Sequence, residues 1–356
     1  MNRIDSFLQL LVGQGGSDLH MVSGDVPRVR LNGVLERVRF RELSVSDIEN
    51  MFEEILTEDQ RDHLARDSSL DFAYASEAAG RFRVNIYRHV RGVAAALRFI
   101  PSEIPTLDGL GLPPAIRNTA ELPSGLTLVT GPTGSGKSTT LAAMIDHLNS
   151  TRGGHIITIE DPIEFVHSCK KGLITQRELG AHTLSFADAL RTAIREDPDV
   201  ILVGEMRDPE TVALALTAAE TGTQVLGTLH TNGAVRSVER IVNLFPPKRH
   251  SQMRTVMAET LRMVVSQQLV RKADGSGRMA AIEVMINSHA IASMIRSNNS
   301  HKITNAIQAG ARVGMQGLDA SLSQLVKNGL ISGDEAYEHA VERTSFEHFL
   351  ARGEAA

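Results

Sequence analysis

The stretch from Leu126 to Leu148 constrains this chain more than any other. The apolar run Leu126-Thr127-Leu128-Val129-Thr130 reads as a buried strand and passes directly into Gly131-Pro132-Thr133-Gly134-Ser135-Gly136-Lys137-Ser138, after which Thr139 through Leu148 favours helix. The glycine loop matches G-x-x-x-x-G-K-[ST]. Its glycines let the backbone curl so that successive N–H groups converge, and the helix behind them adds the positive end of its dipole. That combination holds phosphate. Lys137 is placed to reach the β- and γ-phosphates of a nucleotide, and the Ser138 hydroxyl to hold Mg²⁺. Gly131, Pro132, Thr133, Gly134, Ser135, Gly136, Lys137, Ser138 and Thr139 are therefore the expected nucleotide-binding residues. A glycine turn that binds nothing leaves the lysine and hydroxyl at those offsets unexplained.

The rest of the composition bounds the setting. A chain of 356 residues, 42% hydrophobic and 22% charged, can bury a full core and suggests two domains. No apolar run approaches the roughly 18 residues of a membrane span, and the opening Met1-Asn2-Arg3-Ile4-Asp5 lacks a signal-peptide pattern, so a cytoplasmic protein is expected. Cys169 is the one cysteine, which excludes intramolecular disulfides and cysteine-rich zinc sites. His167 beside it makes a poor metal site without further ligands. A net charge of −5 and a pI of 6.2 argue against a broad nucleic-acid surface.

Taken in order, Ile4, Phe7, Leu8, Leu11 and Val12 repeat at helical spacing until Gly13, Gly15 and Gly16. A strand around Asp18 to Met21 follows, then a hairpin turning at Asn32-Gly33 with Val38 and Phe40 on its return strand. Ser46 and Glu49 form a candidate capping box for a helix through Leu56, and Thr57 with Gln60 a second. From Leu70 to Ile100 the period is two: Phe82, Val84 and Ile86 alternate with Arg81, Arg83 and Asn85, and Arg98 lies on the polar side of the next strand. This makes residues 1–100 a small α+β domain, 101–114 a Pro- and Gly-rich linker, and 115–356 a second domain.

In that second domain strands and helices alternate. Strands are expected at His155 to Ile159, Val200 to Gly204 and Val225 to Leu229, and helices at Ser185 to Glu196, Pro209 to Thr221 and Ala234 to Asn243. Such alternation indicates an α/β, mostly parallel sheet that places ligands beyond the carboxyl ends of its strands. Met253, Val256, Met257, Leu261, Val264 and Val265 predict one longer amphipathic helix. A strand at 279–285 and helices at 287–296, 301–309, 316–328 and 333–340 complete the chain.

Three strand ends carry polar groups: Glu160-Asp161-Pro162-Ile163-Glu164 after Ile159, Glu205 after Gly204, and His230 after Leu229. Hydrolysis of a γ-phosphate needs an oriented water and a neutralising metal ion. Glu164 and Glu205 are candidates for those two tasks, Glu205 through a metal-bound water, and His230 for sensing the γ-phosphate. Carboxylates at such positions serve equally as helix caps or solvated loop acids, and a histidine as a structural hydrogen-bonder.

The same segments carry a family resemblance. Ile157-Thr158-Ile159-Glu160-Asp161-Pro162-Ile163-Glu164 resembles the acidic box of the secretion ATPases, Asp197 through Asp208 their Walker B segment, and Gly227-Thr228-Leu229-His230-Thr231-Asn232 their histidine box. Ser17-Asp18-Leu19-His20 and Arg81-Phe82-Arg83-Val84-Asn85 resemble their N-terminal domain, and nearly the whole chain is covered. Within the family it is most similar to the type IV pilus retraction ATPases. The resemblance implies a PAS-like N-terminal domain, a RecA-like ATPase domain with a C-terminal helical region, and a homohexamer with ATP between subunits. It implies Glu164 as catalytic carboxylate, Glu205 as the Walker B acid and metal contact, His230 in the histidine box, and Arg83 and Arg98 as candidates to reach bound phosphate. It also implies an inner-membrane pilus platform protein as partner, at the cytoplasmic face of that membrane.

One element departs. Where retraction ATPases resemble one another in A-I-R-N-L-I-R-E, this chain has Ala290-Ile291-Ala292-Ser293-Met294-Ile295-Arg296-Ser297. That departure admits a nucleotide-binding accessory paralogue acting on another pilus ATPase. A pilus assembly or type II secretion ATPase is the second alternative, disfavoured by the single cysteine and short N-terminal domain, and a RecA-like nucleic-acid translocase a weaker third.

Overall fold

The computed structural model describes residues 2–31, 33–100 and 103–350. Asn32 of the expected hairpin and Pro101 of the expected linker lie outside them. The chain divides into two compact units, Met1–Glu103 with Pro162–Val166 and Ile104–Asp161 with His167–Ala356. The short segment Pro162–Val166, which carries Glu164, thus groups with the first unit.

The first unit is one antiparallel sheet with helices. Its strands are β1 (Asp18–Val22), β2 (Arg28–Leu31), β3 (Val34–Arg37), β4 (Ser69–Ser76), β5 (Gly80–His89) and β6 (Gly92–Ile100), in the order β3-β2-β1-β6-β5-β4. Leu19, Met21, Phe82, Val84, Ile86 and Leu97 point to one face and are buried with residues of α1 (Asp5–Gly13) and α2 (Val45–Glu53). The period-two pattern anticipated this face because only one side of the sheet is apolar.

Two local expectations fail here. The return strand of the hairpin is Val34–Arg37, paired from Leu31↔Val34 to Arg28↔Arg37, so Val38 and Phe40 lie beyond it. The pairing already begins at Leu31↔Val34 and is used up at Arg37, and Phe40 instead packs edge-on against Phe7, with ring centroids 5.0 Å apart. The capping box of α2 is Ser44 and Asp47, where Ser46 and Glu49 were predicted. The Asp47 N–H donates to Ser44 Oγ at 3.2 Å, and Asp47 accepts the Ser44 N–H at 2.8 Å. Leu43, just before the cap, and Ile48 are both buried in the same cluster, a hydrophobic staple that fixes the earlier start. The box at Thr57 and Gln60 forms as expected at the head of α3 (Glu58–Asp67).

The second unit opens with α4 (Pro114–Ala120) and is built on seven strands: β7 (Gly125–Thr130), β8 (His155–Glu160), β9 (Leu173–Glu178), β10 (Val200–Val203), β11 (Gln224–Leu229), β12 (Leu261–Arg271) and β13 (Arg278–Ile286). Their order is β13-β12-β7-β11-β10-β8-β9, with every neighbouring pair parallel except β12–β13. Its helices are α5 (Lys137–Thr151), α6 (Phe186–Ala193), α7 (Pro209–Glu220), α8 (Ala234–Asn243), α9 (His250–Thr260), α10 (His289–Arg296), α11 (Ile303–Ala309), α12 (Leu318–Lys327) and α13 (Gly333–His339). β7, β10 and β11 are buried along their entire length. This double-sided burial makes them read as continuous apolar runs.

The long helix expected through Met253 and Val265 does not exist as such. α9 ends at Thr260, and Leu261, with an extended backbone (ψ 134°), starts β12. β12 lies inside the sheet between β7 and β13, and Met263 through Gln267 are buried in succession, so both its faces are covered there and Leu261, Val264 and Val265 keep a helical spacing by coincidence. The polar edge strand β9 was not anticipated.

Candidate functional site

Because β7, β11, β10 and β8 are parallel neighbours, their carboxyl ends bring four segments to one edge of the sheet. These are the glycine loop after Thr130, His230 after Leu229, Glu205 after Gly204, and Asp161 after Glu160. Registers Thr130↔Leu229, Val203↔Gly227 and Val203↔Ile159 align the four ends.

The loop itself is shaped by its glycines. Gly131 has φ 143°, and a Cβ there would sit 2.2 Å from the Gln267 carbonyl oxygen and 2.7 Å from Ser135 Oγ. No side chain fits. Gly134 and Gly136 also adopt positive φ, 77° and 85°, and Gly136 leads straight into α5. Lys137 is buried, and its Nζ donates to the carbonyls of Gly131 and Pro132 at 3.0 Å each, so the ammonium is folded back across the mouth of the loop. Ser138 is exposed on the first turn of α5 and Thr139 is half-buried. Ser135 Oγ is buried with no hydrogen-bond partner among the described residues. A buried polar atom held so, in a glycine loop at the head of a helix, suits a cradle for a polar ligand.

Glu205 stands at the centre of a charge cluster. Its Oε2 is 2.5 Å from Arg207 Nη2 and its Oε1 is 3.2 Å from His230 Nε2, while Arg207 also lies 3.7 Å from Asp161. Burial would raise the Glu205 carboxyl, but the Arg207 hydrogen bond and the charges of His230 and Arg207 outweigh it and keep the group below its ordinary range. Glu205 is therefore a carboxylate at neutral pH. The Thr228 hydroxyl donates to the Gly204 carbonyl and ties β10 to β11 just before Glu205 and His230. Asp208 caps α7 by accepting the N–H groups of Glu210 at 3.0 Å and Thr211 at 2.8 Å, which fixes where the Glu205–Arg207 turn ends.

Of the expected site residues, the structure brings together the phosphate loop, Glu205 and His230 at one sheet edge. Glu164, Arg83 and Arg98 belong to the first unit. Glu164 is half-buried between buried Ile163 and Phe165, and the Ile163 carbonyl accepts from Arg81 Nε at 3.1 Å. Arg83 and Arg98 face each other in register across β5 and β6. Two like charges so placed repel, and each is offset by a carboxylate. Arg83 Nη2 bonds Asp71 at 2.7 Å, and Arg98 Nε bonds Asp18 at 2.9 Å. Burial would raise Asp18, yet the Ser17 hydroxyl and Arg98 hold it below its usual value.

Sequence reasoning missed Arg207 and Gln267. Arg207 sits inside the segment read as Walker B, but its bridging of Glu205 and Asp161 depends on β8 and β10 being neighbours. Gln267 was hidden by the misread helix. A buried glutamine in an apolar strand would have been the signal.

Comparison with known proteins shows the family. The family described as type II/IV secretion system protein matches residues 2–338. The chain is 48% identical over 330 residues to a twitching motility protein of Neisseria gonorrhoeae, covering 91% of this chain and 88% of that one. It is 47% identical over 337 residues to PilT of Pseudomonas aeruginosa, described as a type IV pilus retraction ATPase, covering 95% and 98%. Among solved structures, the pilus retraction motor PilT with bound ADP superposes with a TM-score of 0.90 at 43% identity, over 98% of this chain and 99% of that one.

Proposed function

The chain belongs to the type II/IV secretion system protein family, and on that premise we propose that it is an ATPase that powers type IV pilus retraction. The observation that carries the reading is the placement of Lys137, Glu205 and His230 on adjacent parallel strand ends, where an α/β sheet presents its ligand site.

In this reading the backbone N–H groups between Thr133 and Thr139 receive the phosphates of ATP, and Lys137 turns from the Gly131 and Pro132 carbonyls to the β- and γ-phosphates. Mg²⁺ suits the donor set, because the Ser138 hydroxyl and the ionised Glu205 carboxylate are hard oxygen ligands. Both Glu205 oxygens are already engaged by Arg207 and His230, which favours contact through water. The bound ion supplies charge neutralisation at the phosphates. Glu164 orients the attacking water and takes its proton, and His230, tied to Glu205, links the γ-phosphate to the Walker B end. Arg83 and Arg98 exchange their carboxylate partners for the phosphate of a neighbouring copy in a homohexamer. Binding then draws domains together and hydrolysis releases them. Among the described residues no helix is long and apolar enough to cross a membrane. The likeness to pilus retraction ATPases supports a motor that acts from the cytoplasmic face of the inner membrane on a pilus platform protein.

A second reading, an accessory nucleotide-binding paralogue that modulates another pilus ATPase, is favoured by α10. Ile291 and Ile295 keep their core positions there, whereas Ser293 and Ser297, where retraction ATPases carry asparagine and glutamate, are exposed. The change spares the fold and alters a surface. Comparing a deletion strain and a Lys137→Ala strain with the parent decides between them. Retraction predicts surplus surface pili without twitching in both strains. Near-normal twitching in the deletion strain supports the accessory reading, and loss of pili contradicts retraction.

A further inference from the structure

β12 lies between β7 and β13, and its side chains alternate between the two faces of the sheet. Two consecutive residues near its middle hold two different loops. Gln267 is buried on one face; its Nε2 donates to the Ser135 carbonyl at 2.6 Å and its Oε1 accepts the Thr140 hydroxyl at 3.0 Å. Its backbone carbonyl occupies the space a side chain on Gly131 would need. The phosphate loop is thus gripped at its start, its middle and the first turn of α5.

On the other face, Ser266 stands in register with Thr130 of β7 and Glu283 of β13. The three hold the segment after His230. Ser266 Oγ accepts the Gly233 N–H at 2.8 Å, Glu283 Oε1 accepts the Ala234 N–H at 2.6 Å, and Thr130 Oγ1 lies 3.4 Å from Ser237 Oγ. The Ser237 hydroxyl in turn donates to the Gly233 carbonyl at 2.8 Å and pairs with Thr231 Oγ1 at 2.7 Å. Burial pushes the Glu283 carboxyl up, the Ala234 N–H draws it partly back, and the charge of Asp319 adds to the rise. An acid kept in such surroundings is costly unless its hydrogen bond matters.

We propose that Gln267 on one face, and Ser266 with Glu283 on the other, are positioning residues that register the phosphate loop and the His230 loop on a single rigid strand. The spacing between the phosphates and His230 is then set by β12 and not by two independent loops. The inference rests on the nucleotide-site reading above. It separates two roles. Gln267 touches the loop that grips all phosphates in ground and transition states alike, so its loss weakens ATP binding. Ser266 and Glu283 touch only the loop behind His230, so their loss slows the chemical step.

The test is steady-state hydrolysis together with equilibrium binding of a fluorescent ATP analogue, on the full chain. Loss of one buried hydrogen bond sets the scale at roughly tenfold. Gln267→Glu keeps the acceptor for Thr140 and loses the donor to Ser135; it is expected to raise Kd and KM about tenfold with kcat within about twofold. Ser266→Ala and Glu283→Ala are expected to lower kcat about tenfold with Kd within about twofold, and Glu283→Gln, which keeps an acceptor for Ala234, to recover most of that loss. Should Glu283→Ala not fold, Ser266→Ala and Glu283→Gln still decide the matter. Variants that move Kd and kcat together, or move neither, overturn the inference. Lys137→Ala in the same assay separates the two failures. If it binds the analogue as the parent does, the nucleotide-site reading is wrong; if it loses binding and the split is absent, the role of β12 is wrong.

Discussion

Lys137→Ala is expected to lose ATP binding by at least about a hundredfold and to reduce hydrolysis to background. The ammonium is the one side-chain cation on the glycine loop, and charge-assisted bonds to phosphate are about twice as strong as neutral ones. The substitution also removes two bonds that Lys137 makes to the Gly131 and Pro132 carbonyls, so a modest loss of stability, on the order of 1 kcal/mol, accompanies it. Calorimetric titration with ATP and a thermal melt measure the two effects separately. A melt close to that of the parent with binding lost is the expected pair. Unchanged affinity would remove the loop from nucleotide binding.

Glu164→Ala separates binding from turnover. Loss of a group that positions charge in the transition state costs roughly a hundredfold or more in rate, and Glu164 lies outside the glycine loop that is expected to bind the phosphates. Hydrolysis should therefore fall by that factor while affinity stays within a few fold. Glu164→Gln, which preserves shape between the buried Ile163 and Phe165, guards against a folding defect and should fall as far. Steady-state ATPase assays check both. Near-normal turnover in either variant would take Glu164 out of catalysis, with Glu205 the next candidate.

How much of this was legible in the sequence depended on where each residue's partners lie. The phosphate loop could be read because its requirements are local: glycines at positive φ, then a lysine and a hydroxyl on the first helical turn. The parallel core could be read because β7, β10 and β11 are short apolar runs bounded by turn residues and separated by helices. The placement of Glu205 and His230 beside the loop could be read because each directly follows an apolar strand of that sheet.

Partners set by topology were not legible. Gln267 bonds Ser135 and Thr140, 132 and 127 residues away, and nothing in its neighbours announces them. β12 itself was masked because a strand covered on both faces loses its alternation, and no glycine or proline separates it from α9. The excursion Pro162–Val166, which groups Glu164 with the first unit, has no signal beyond a single proline. The α2 cap illustrates a smaller ambiguity. Ser44 and Ser46 both precede an acid three residues on, and tertiary packing of Leu43 and Ile48 chose between them.

The central claim is that one triphosphate pocket, seated on the carboxyl ends of β7, β10 and β11, drives everything else. A crystal structure of the chain with Mg²⁺ and a non-hydrolysable ATP analogue tests it most directly. The account predicts the triphosphate inside the loop from Gly131 to Thr139, the metal ion at Ser138 Oγ, and Lys137 Nζ withdrawn from the Gly131 and Pro132 carbonyls onto phosphate. The analogue bound elsewhere, with Lys137 still on those carbonyls, would contradict it.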